Sequence, residues 1–271
     1  MKRREAEAAE SAIQDLHPAR LLGLCRTRRL ARRIVVFDAV DSTNAVTMAA
    51  ASDGAPEGLL VVAEEQRSGK GRKGRAWLSV KGRSLTFSLL LRPERSEEAL
   101  TAILALAAVR ALSGFVERSG IKWPNDIFLG GKKLGGILAE SKEGAVVIGL
   151  GLNVNELPVD FPSGIAGEAV SMRIAAGKEF DRAIVLCRLL EVFEELYLRF
   201  QREGFVSFKK EIEEKLLYVG ENVIIESGGG TFGGTLRGIT DAGYIRLAQE
   251  GTEKVFSSGD LTLREGSRER D

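Results

Sequence analysis

The pattern of apolar and polar positions divides the chain into short strands and a few helices. IVVFD (34–38) opens as a strand. Asp41-Ser42-Thr43-Asn44 then precedes an alanine-rich run, which predicts a helix capped by Ser42 or Thr43. LLVVAEEQ (59–66) reads as a second strand. RSLTFSLLLR (83–92) alternates at first and ends in a continuous apolar run, so it predicts a strand covered on both faces. Residues 96–118 predict a long helix with Ser96 as N-cap and Glu97 and Glu98 in its first turn. Strands are predicted at about 121–129, 134–141 and 145–154. Gly130-Gly131-Lys132 and Lys142-Glu143-Gly144 join them as hairpin turns. NELPVDFPSGIAGE (155–168) is long for a connection and is expected to be a mobile functional loop. Residues 181–202 predict an amphipathic helix.

From about Tyr218 the texture changes. ENVIIE, GTFGGTLRGIT, GYIRLAQ and EKVFSS are short strands between glycine turns, including Gly228-Gly229-Gly230 and Gly233-Gly234. That spacing predicts a small all-β barrel and a domain boundary near 216. At the other end, residues 1–16 suit a short solvated helix or arm. PARLLGLCRTRRLARR (18–33) carries many arginines but no aromatics, and is expected to be a solvated connector. Three units follow: a connector at 1–33, a main domain at 34–216 and a barrel at 217–271.

Composition excludes several function classes. Lys+Arg is 39 and Asp+Glu 38, a net charge of +1, so no global basic field exists to hold DNA or an anionic membrane. Any cationic site must be local. No apolar run approaches a bilayer span and no signal-peptide pattern is visible, so a cytoplasmic location is expected. Cys25 and Cys187 lie far apart and read as reduced thiols. His17 is the only histidine, which removes His triads and multi-His metal sites; it reads as a surface residue.

The densest local chemistry is SGKGRKGRAW (68–77). Gly69, Gly71 and Gly74 form a literal G-x-G-x-x-G, interleaved with Lys70, Arg72, Lys73 and Arg75. A dinucleotide fingerprint needs a helix after the glycines, but a turn and a strand follow here. A P-loop needs G-K-[S/T], and Arg75 follows Gly74. What remains is a backbone nest with cationic side chains, suited to phosphate or carboxylate, or a merely solvated basic turn. A second motif, KWPNDIFLGGKKLGGILAES (122–141), places Asn125 and Asp126 on a strand edge, with Lys132-Lys133 before Gly135-Gly136. GLGLNVN (149–155) repeats small residues on an apolar strand. Each has a bland reading as caps, turn residues or packing relief.

Taken together and in order, DSTN, the glycine-cation loop, KWPND, KLGGIL and GLGLNVN resemble the biotin–protein ligases over about residues 34–266. The resemblance implies an α+β fold: a mixed sheet with helices on one side, of the class II aminoacyl-tRNA-synthetase-like kind, plus an SH3-like C-terminal barrel. It implies a ligase that activates biotin with MgATP as biotinyl-5′-AMP and transfers it to a lysine of a carboxylase carrier domain. No permanently bound cofactor and no fixed metal site are expected, though Asp126 is placed near the magnesium of the substrate. Arg72, Lys133 and Asp126 take the catalytic positions. Ser42, Thr43, Asn44, Gln66, Gly69, Lys70, Gly136 and Gly149 take biotin-binding positions. Gly71, Arg75, Trp77, Asn125 and Asn153 take nucleotide-binding positions, although an aromatic ending a loop also suits the core. Trp123 reads as pocket wall or core. Lys70 stands where the family usually has arginine, which loses bidentate geometry. No repressor activity, nucleic acid or membrane partner is expected; a homodimer through sheet edges is. Rival readings are a lipoate or octanoate ligase, a ligand-sensing nucleic-acid binder resting on Arg20–Arg33, and a non-catalytic biotin-binding module.

Overall fold

A computed structural model describes residues 15–95, 97–249 and 251–264. Its main sheet has seven strands in the order β1-β2-β3-β7-β6-β5-β4. These are β1 (Arg33–Val40), β2 (Leu59–Gln66), β3 (Ser84–Leu91), β4 (Ser119–Lys122), β5 (Asp126–Leu129), β6 (Lys132–Lys142) and β7 (Ala145–Asn153). Only β1 and β2 run parallel; every other neighbouring pair is antiparallel. The sheet is therefore mixed, as expected.

Alternation along the strands sorts side chains to two faces. Leu60, Val62, Leu85, Phe87, Leu89, Ile148 and Leu150 join the main core. There they pack with α3 (Leu100–Leu112) and, beyond the short α4 (Met172–Ala176), with α5 (Arg182–Glu203). Leu59, Val61, Leu90 and Val147 point the other way and pack with α2 (Thr43–Ser52). The two long helices do share one face. The short α2 adds a layer on the opposite face that the expectation of helices on one side left out. Strands β2 and β3 are apolar on both sides for this reason.

Two predicted elements are corrected. Residues 121–129 are not one strand but β4 and β5, because Pro124 has no N–H to give a ladder and breaks the run. The predicted 96–118 helix is a single 3₁₀ turn (Glu97–Ala99) followed by α3, which ends at Leu112. Ser113-Gly114 follow, and Arg118 takes a positive φ of 61°, so the chain has left the helix. The Ser96 cap lies outside the described residues. The hairpins hold as read: Gly130 and Gly131 have φ of 57° and 78°, and Glu143 and Gly144 of 51° and 77°. Both are left-handed at two successive positions, the geometry that tight hairpins favour.

The segment after α5 forms a 3₁₀ turn (Phe205–Phe208) and α6 (Lys209–Glu213). A five-stranded antiparallel sheet follows, in the order β11-β10-β9-β8-β12. Its strands are β8 (Asn222–Ser227), β9 (Gly230–Ile239), β10 (Ile245–Gln249), β11 (Thr252–Phe256) and β12 (Asp260–Leu263). Ile121 exchanges backbone hydrogen bonds with Lys215 and Leu217, so this sheet is tied to the edge strand β4.

The 18–33 segment is not a solvated connector. It forms α1 (Pro18–Leu24) and a strap laid along α5, burying Leu21, Leu30 and Ala31. His17 is exposed and caps α1. Glu194 accepts the backbone N–H groups of Arg28, Arg29 and Leu30 at 2.7, 2.8 and 2.7 Å. Arg182, fully buried, pairs with Asp15 at 2.6 Å and Glu64 at 2.7 Å. Of residues 1–16 only the last two are described, and Leu16 is buried. Most consequentially, Cys25 and Cys187 form a disulfide, with Cα atoms 4.7 Å apart. The expectation of two reduced thiols fails because the strap doubles back on α5, bringing together cysteines 162 residues apart. Among the described residues no helix is long and apolar enough to cross a membrane.

Two predictions follow from this packing. Cys187→Ser should lower stability by about 2–4 kcal/mol, the usual range for a native disulfide, in urea unfolding without reductant. An unchanged midpoint would contradict the staple. The second concerns Glu156, which is buried against Ser84 Oγ at 2.5 Å. Burial pushes its pKa from 4.5 up to about 7, opposed by the Ser84 hydrogen bond. The folded state thus holds a proton that the unfolded chain releases above about 4.5. Glu156 therefore costs stability progressively as pH rises through 4.5 to about 7, and the loss levels off above that. Relative to wild type, Glu156→Gln should gain up to about 3 kcal/mol between pH 4.5 and 8. Parallel stability curves for the two proteins would refute this.

Candidate active site

The cavity sits where β3, β7 and β6 meet the N-terminus of α2, and the glycine-cation loop and β12 roof it. Its volume is about 380 Å³. One end is neutral and polar. Ser42 caps α2 through Ala45 N at 3.4 Å, and Thr43 N donates to Gln66 Oε1 at 2.8 Å. Ser42, Thr43 and Asn44 are nearly buried. The floor is β7. A Cβ on Gly149 would overlap Asn44 Oδ1, and one on Gly151 would overlap the Trp77 indole. Small residues are required at both positions by contact distance.

The other end is ionic. The WPN break lets Asn125 turn in beside β6: its Nδ2 donates to Ile137 O and its carbonyl accepts from Ile137 N, both at 2.9 Å. Its Oδ1 is left facing Arg72, which donates at 3.3 Å and also reaches Gly259 O at 3.4 Å. Asp126 and Lys133 are near neighbours across β5 and β6 and pair at 2.7 Å. Lys122 lies over the Phe128 ring at 4.8 Å. Burial lowers its pKa, Asp126 opposes that, and Lys133 adds to it. Lys73 and Arg75 both pair with Asp260 of β12, at 3.2 and 2.5 Å. Burial raises the Asp260 pKa, but these two cations outweigh it and hold the carboxyl below its usual range.

Fourteen of the sixteen sequence-predicted residues line this cavity: Ser42, Thr43, Asn44, Gln66, Lys70, Gly71, Arg72, Arg75, Trp77, Asn125, Asp126, Lys133, Gly136 and Gly149. Gly69 and Asn153 do not. Gly69 is buried under the Trp77 carbonyl, where a Cβ would come within 2.5 Å of the oxygen. Asn153 turns away and donates to Val170 O at 3.0 Å. At Gly136 a Cβ would meet Asp126 Oδ1 at 3.4 Å, an ordinary contact, so close approach does not demand glycine there. Trp123 serves both expectations: it is buried in the core and also lines the cavity. The 155–168 loop borders the site through Glu168, whose carbonyl accepts Lys133 N at 2.7 Å.

The structure adds residues the sequence reading passed over. Lys122 lay inside a motif already quoted and could have been found there. Glu226, Asp260 and Thr262 come from the C-terminal sheet and also line the cavity; no local pattern marked them. Among the described residues, no cluster of three or more His, Cys, Asp or Glu could hold a metal ion.

Comparison with known proteins agrees with this arrangement. Residues 36–155 match the biotin/lipoate A/B protein ligase family, and residues 218–264 match the biotin protein ligase C-terminal domain. The bifunctional ligase/repressor BirA of Bacillus subtilis is 37% identical over 243 residues, covering 86% of this chain and 75% of BirA. The biotin–[acetyl-CoA-carboxylase] ligase of Mycobacterium tuberculosis is 31% identical over 240 residues, covering 85% and 88% of the two chains. Among solved structures, the biotin protein ligase of Aquifex aeolicus in complex with biotin and ATP superposes with a TM-score of 0.78 at 33% identity, covering 86% of this chain and 99% of that one. With relatives this similar over most of their length, the chain belongs to the biotin protein ligases of the biotin/lipoate A/B protein ligase family and is a ligase.

Proposed function

We propose that the chain activates biotin with MgATP to biotinyl-5′-AMP and pyrophosphate, then transfers the biotinyl group to a lysine of a biotin carboxyl carrier domain. One observation carries this reading: a single cavity is neutral and hydrogen-bonding at one end and cationic at the other. Biotin has the matching polarity, an uncharged ureido head and a carboxylate tail. The dithiolane of lipoate offers the neutral end no comparable hydrogen bonds.

In the first step a carboxylate oxygen of biotin attacks the α-phosphorus of ATP. The bond from that phosphorus to the bridging oxygen breaks, and pyrophosphate leaves with the electron pair. Two anions must approach, so the cost is electrostatic. Arg72 and Lys133 offset it, lying at the cationic end and aimed inward by Asn125 and Asp126. Lys122 adds a third positive charge in a partly desolvated position. Ser42, Thr43 and Gln66 hold the ureido end, while Gly71, Arg75, Trp77 and Asn125 hold the nucleotide. Magnesium arrives with ATP as part of the substrate.

In the second step a neutral lysine amine attacks the carbonyl carbon of the anhydride. The carbon–oxygen bond to AMP breaks, AMP leaves with the electron pair, and the proton of the amine passes to solvent. Asp126, partly buried and held by Lys133, orients that amine. Lys70, Lys73 and Arg75 close the loop over the anhydride and keep water from it. We assign this chemistry to residues 34–216, with residues 217–271 supplying Asp260 as the loop's anchor.

Arg72→Ala should slow adenylate formation by about 10²-fold or more, the range for removing one transition-state donor. A single-turnover measurement of pyrophosphate release at saturating biotin and MgATP reads this directly. A burst of wild-type rate in the variant would remove Arg72 from the chemistry.

A further inference from the structure

Asn44 is held from both sides. Its Nδ2 donates to Glu140 Oε2 at 2.7 Å and to Leu138 O at 3.3 Å. Both partners only accept, so the amide must turn its NH₂ toward β6 and its Oδ1 toward β3. There Ser88 Oγ, fully buried, donates to Asn44 Oδ1 at 2.6 Å. Ser88 Oγ also lies 2.7 Å from Thr43 Oγ1, which in turn lies 3.0 Å from Gln66 Oε1. Ser88 has one hydroxyl proton, and Asn44 Oδ1 can only accept. The proton of Ser88 is therefore committed, and Thr43 has only its own single hydroxyl proton to share between Ser88 and Gln66. Gln66 Oε1 is occupied by Thr43 N–H at 2.8 Å, which turns the Gln66 NH₂ away from Thr43.

We propose that Glu140 and Ser88 are positioning residues: together they fix the amide orientation of Asn44 and, through the committed Ser88 proton, restrict the hydrogen bonding of Thr43 at the neutral end of the cavity. This rests on the biotin reading above and extends it to the residues that set specificity. Glu140 lies on β6 and is exposed, yet as a carboxylate it sets the amide orientation of Asn44. That orientation commits the Ser88 proton and so reaches Thr43, whose backbone N–H in turn orients Gln66. The cavity end is left with a lone pair on Thr43 and an N–H donor on Gln66, complementary to a head group bearing both N–H and C=O. Gly149 belongs to the same device, because a Cβ there would overlap Asn44 Oδ1 and lie 3.2 Å from Ser88 Oγ.

The test is biotin binding by titration calorimetry on the full chain, together with KM for biotin, KM for ATP and kcat. Glu140→Ala should raise the biotin Kd about 10-fold, while kcat at saturating biotin and KM for ATP stay within about two-fold. Glu140→Gln keeps a carbonyl acceptor and should bind nearly as wild type. Asn44→Asp sets two carboxylates face to face and should weaken binding by about 10²-fold. Adding Glu140→Gln to Asn44→Asp supplies the missing donor and should recover about 10-fold of that loss, a coupling a merely structural role would not show. Biotin Kd within two-fold of wild type in Glu140→Ala would overturn the proposal, as would a double variant no tighter than Asn44→Asp alone. If Asn44→Asp does not fold, the Glu140 pair at the exposed position decides alone. Failure of the wild-type protein to bind biotin would instead overturn the parent reading.

Discussion

Charge compensation is the constraint on which the rest of the structure depends. Four cations fall within the seven residues 69–75, in a chain whose net charge is only +1. Packed together without anions they would repel one another. Asp260 takes two of them, Lys73 and Arg75, and Asp126 takes Lys133 from the second motif. Arg72 is satisfied by carbonyl oxygens alone, those of Asn125 and Gly259. Under the proposed chemistry these acceptors stand where a carboxylate and phosphates would go. This explains why the C-terminal sheet belongs to the site: it brings the carboxylate that steadies the loop. Under the same proposal, Arg72 is the cation most readily given over to a ligand, since its partners are neutral.

The apolar architecture serves this arrangement by holding β7 flat against the cavity. Main-core contacts fix one face of β3 and β7, and α2 fixes the other. Along β7 only small residues fit where Trp77 and Asn44 lie on the strand. Far from the site, the strap along α5 reaches Arg182, which joins Asp15 to Glu64 on β2. Glu64 lies two residues before Gln66, so this cluster braces the strand that carries a cavity-lining side chain. Removing one member of so buried a cluster would leave an unpaired charge, which costs more than the pair itself contributes.

Much of this was legible in the chain before any coordinates. Strands β1, β2, β3, β6 and β7 and the amphipathic α5 lay where the apolar runs and their turns put them, because local pattern and final burial agree there. The motif residues came together in one cavity, apart from Gly69 and Asn153. What was illegible was long-range. Six arginines in 18–33 suggested solvation, yet the backbone N–H groups of Arg28, Arg29 and Leu30 cap onto Glu194, which no local pattern reveals. The Cys25–Cys187 bond needs the strap to double back on α5 and cannot be seen from spacing. Asp260 reaches the loop only by folding of the second sheet. Ser88 and Glu140 looked like ordinary strand residues, because their meaning lies in the partners across the sheet.

The most direct test of the account is pyrophosphate release on mixing the purified chain with MgATP and biotin, with lipoate and no-acid controls. The account predicts release that depends on biotin and is not matched by lipoate. Release with lipoate but not biotin would show that the neutral end selects a different head group. No release with either acid would contradict the ligase chemistry assigned to the loop.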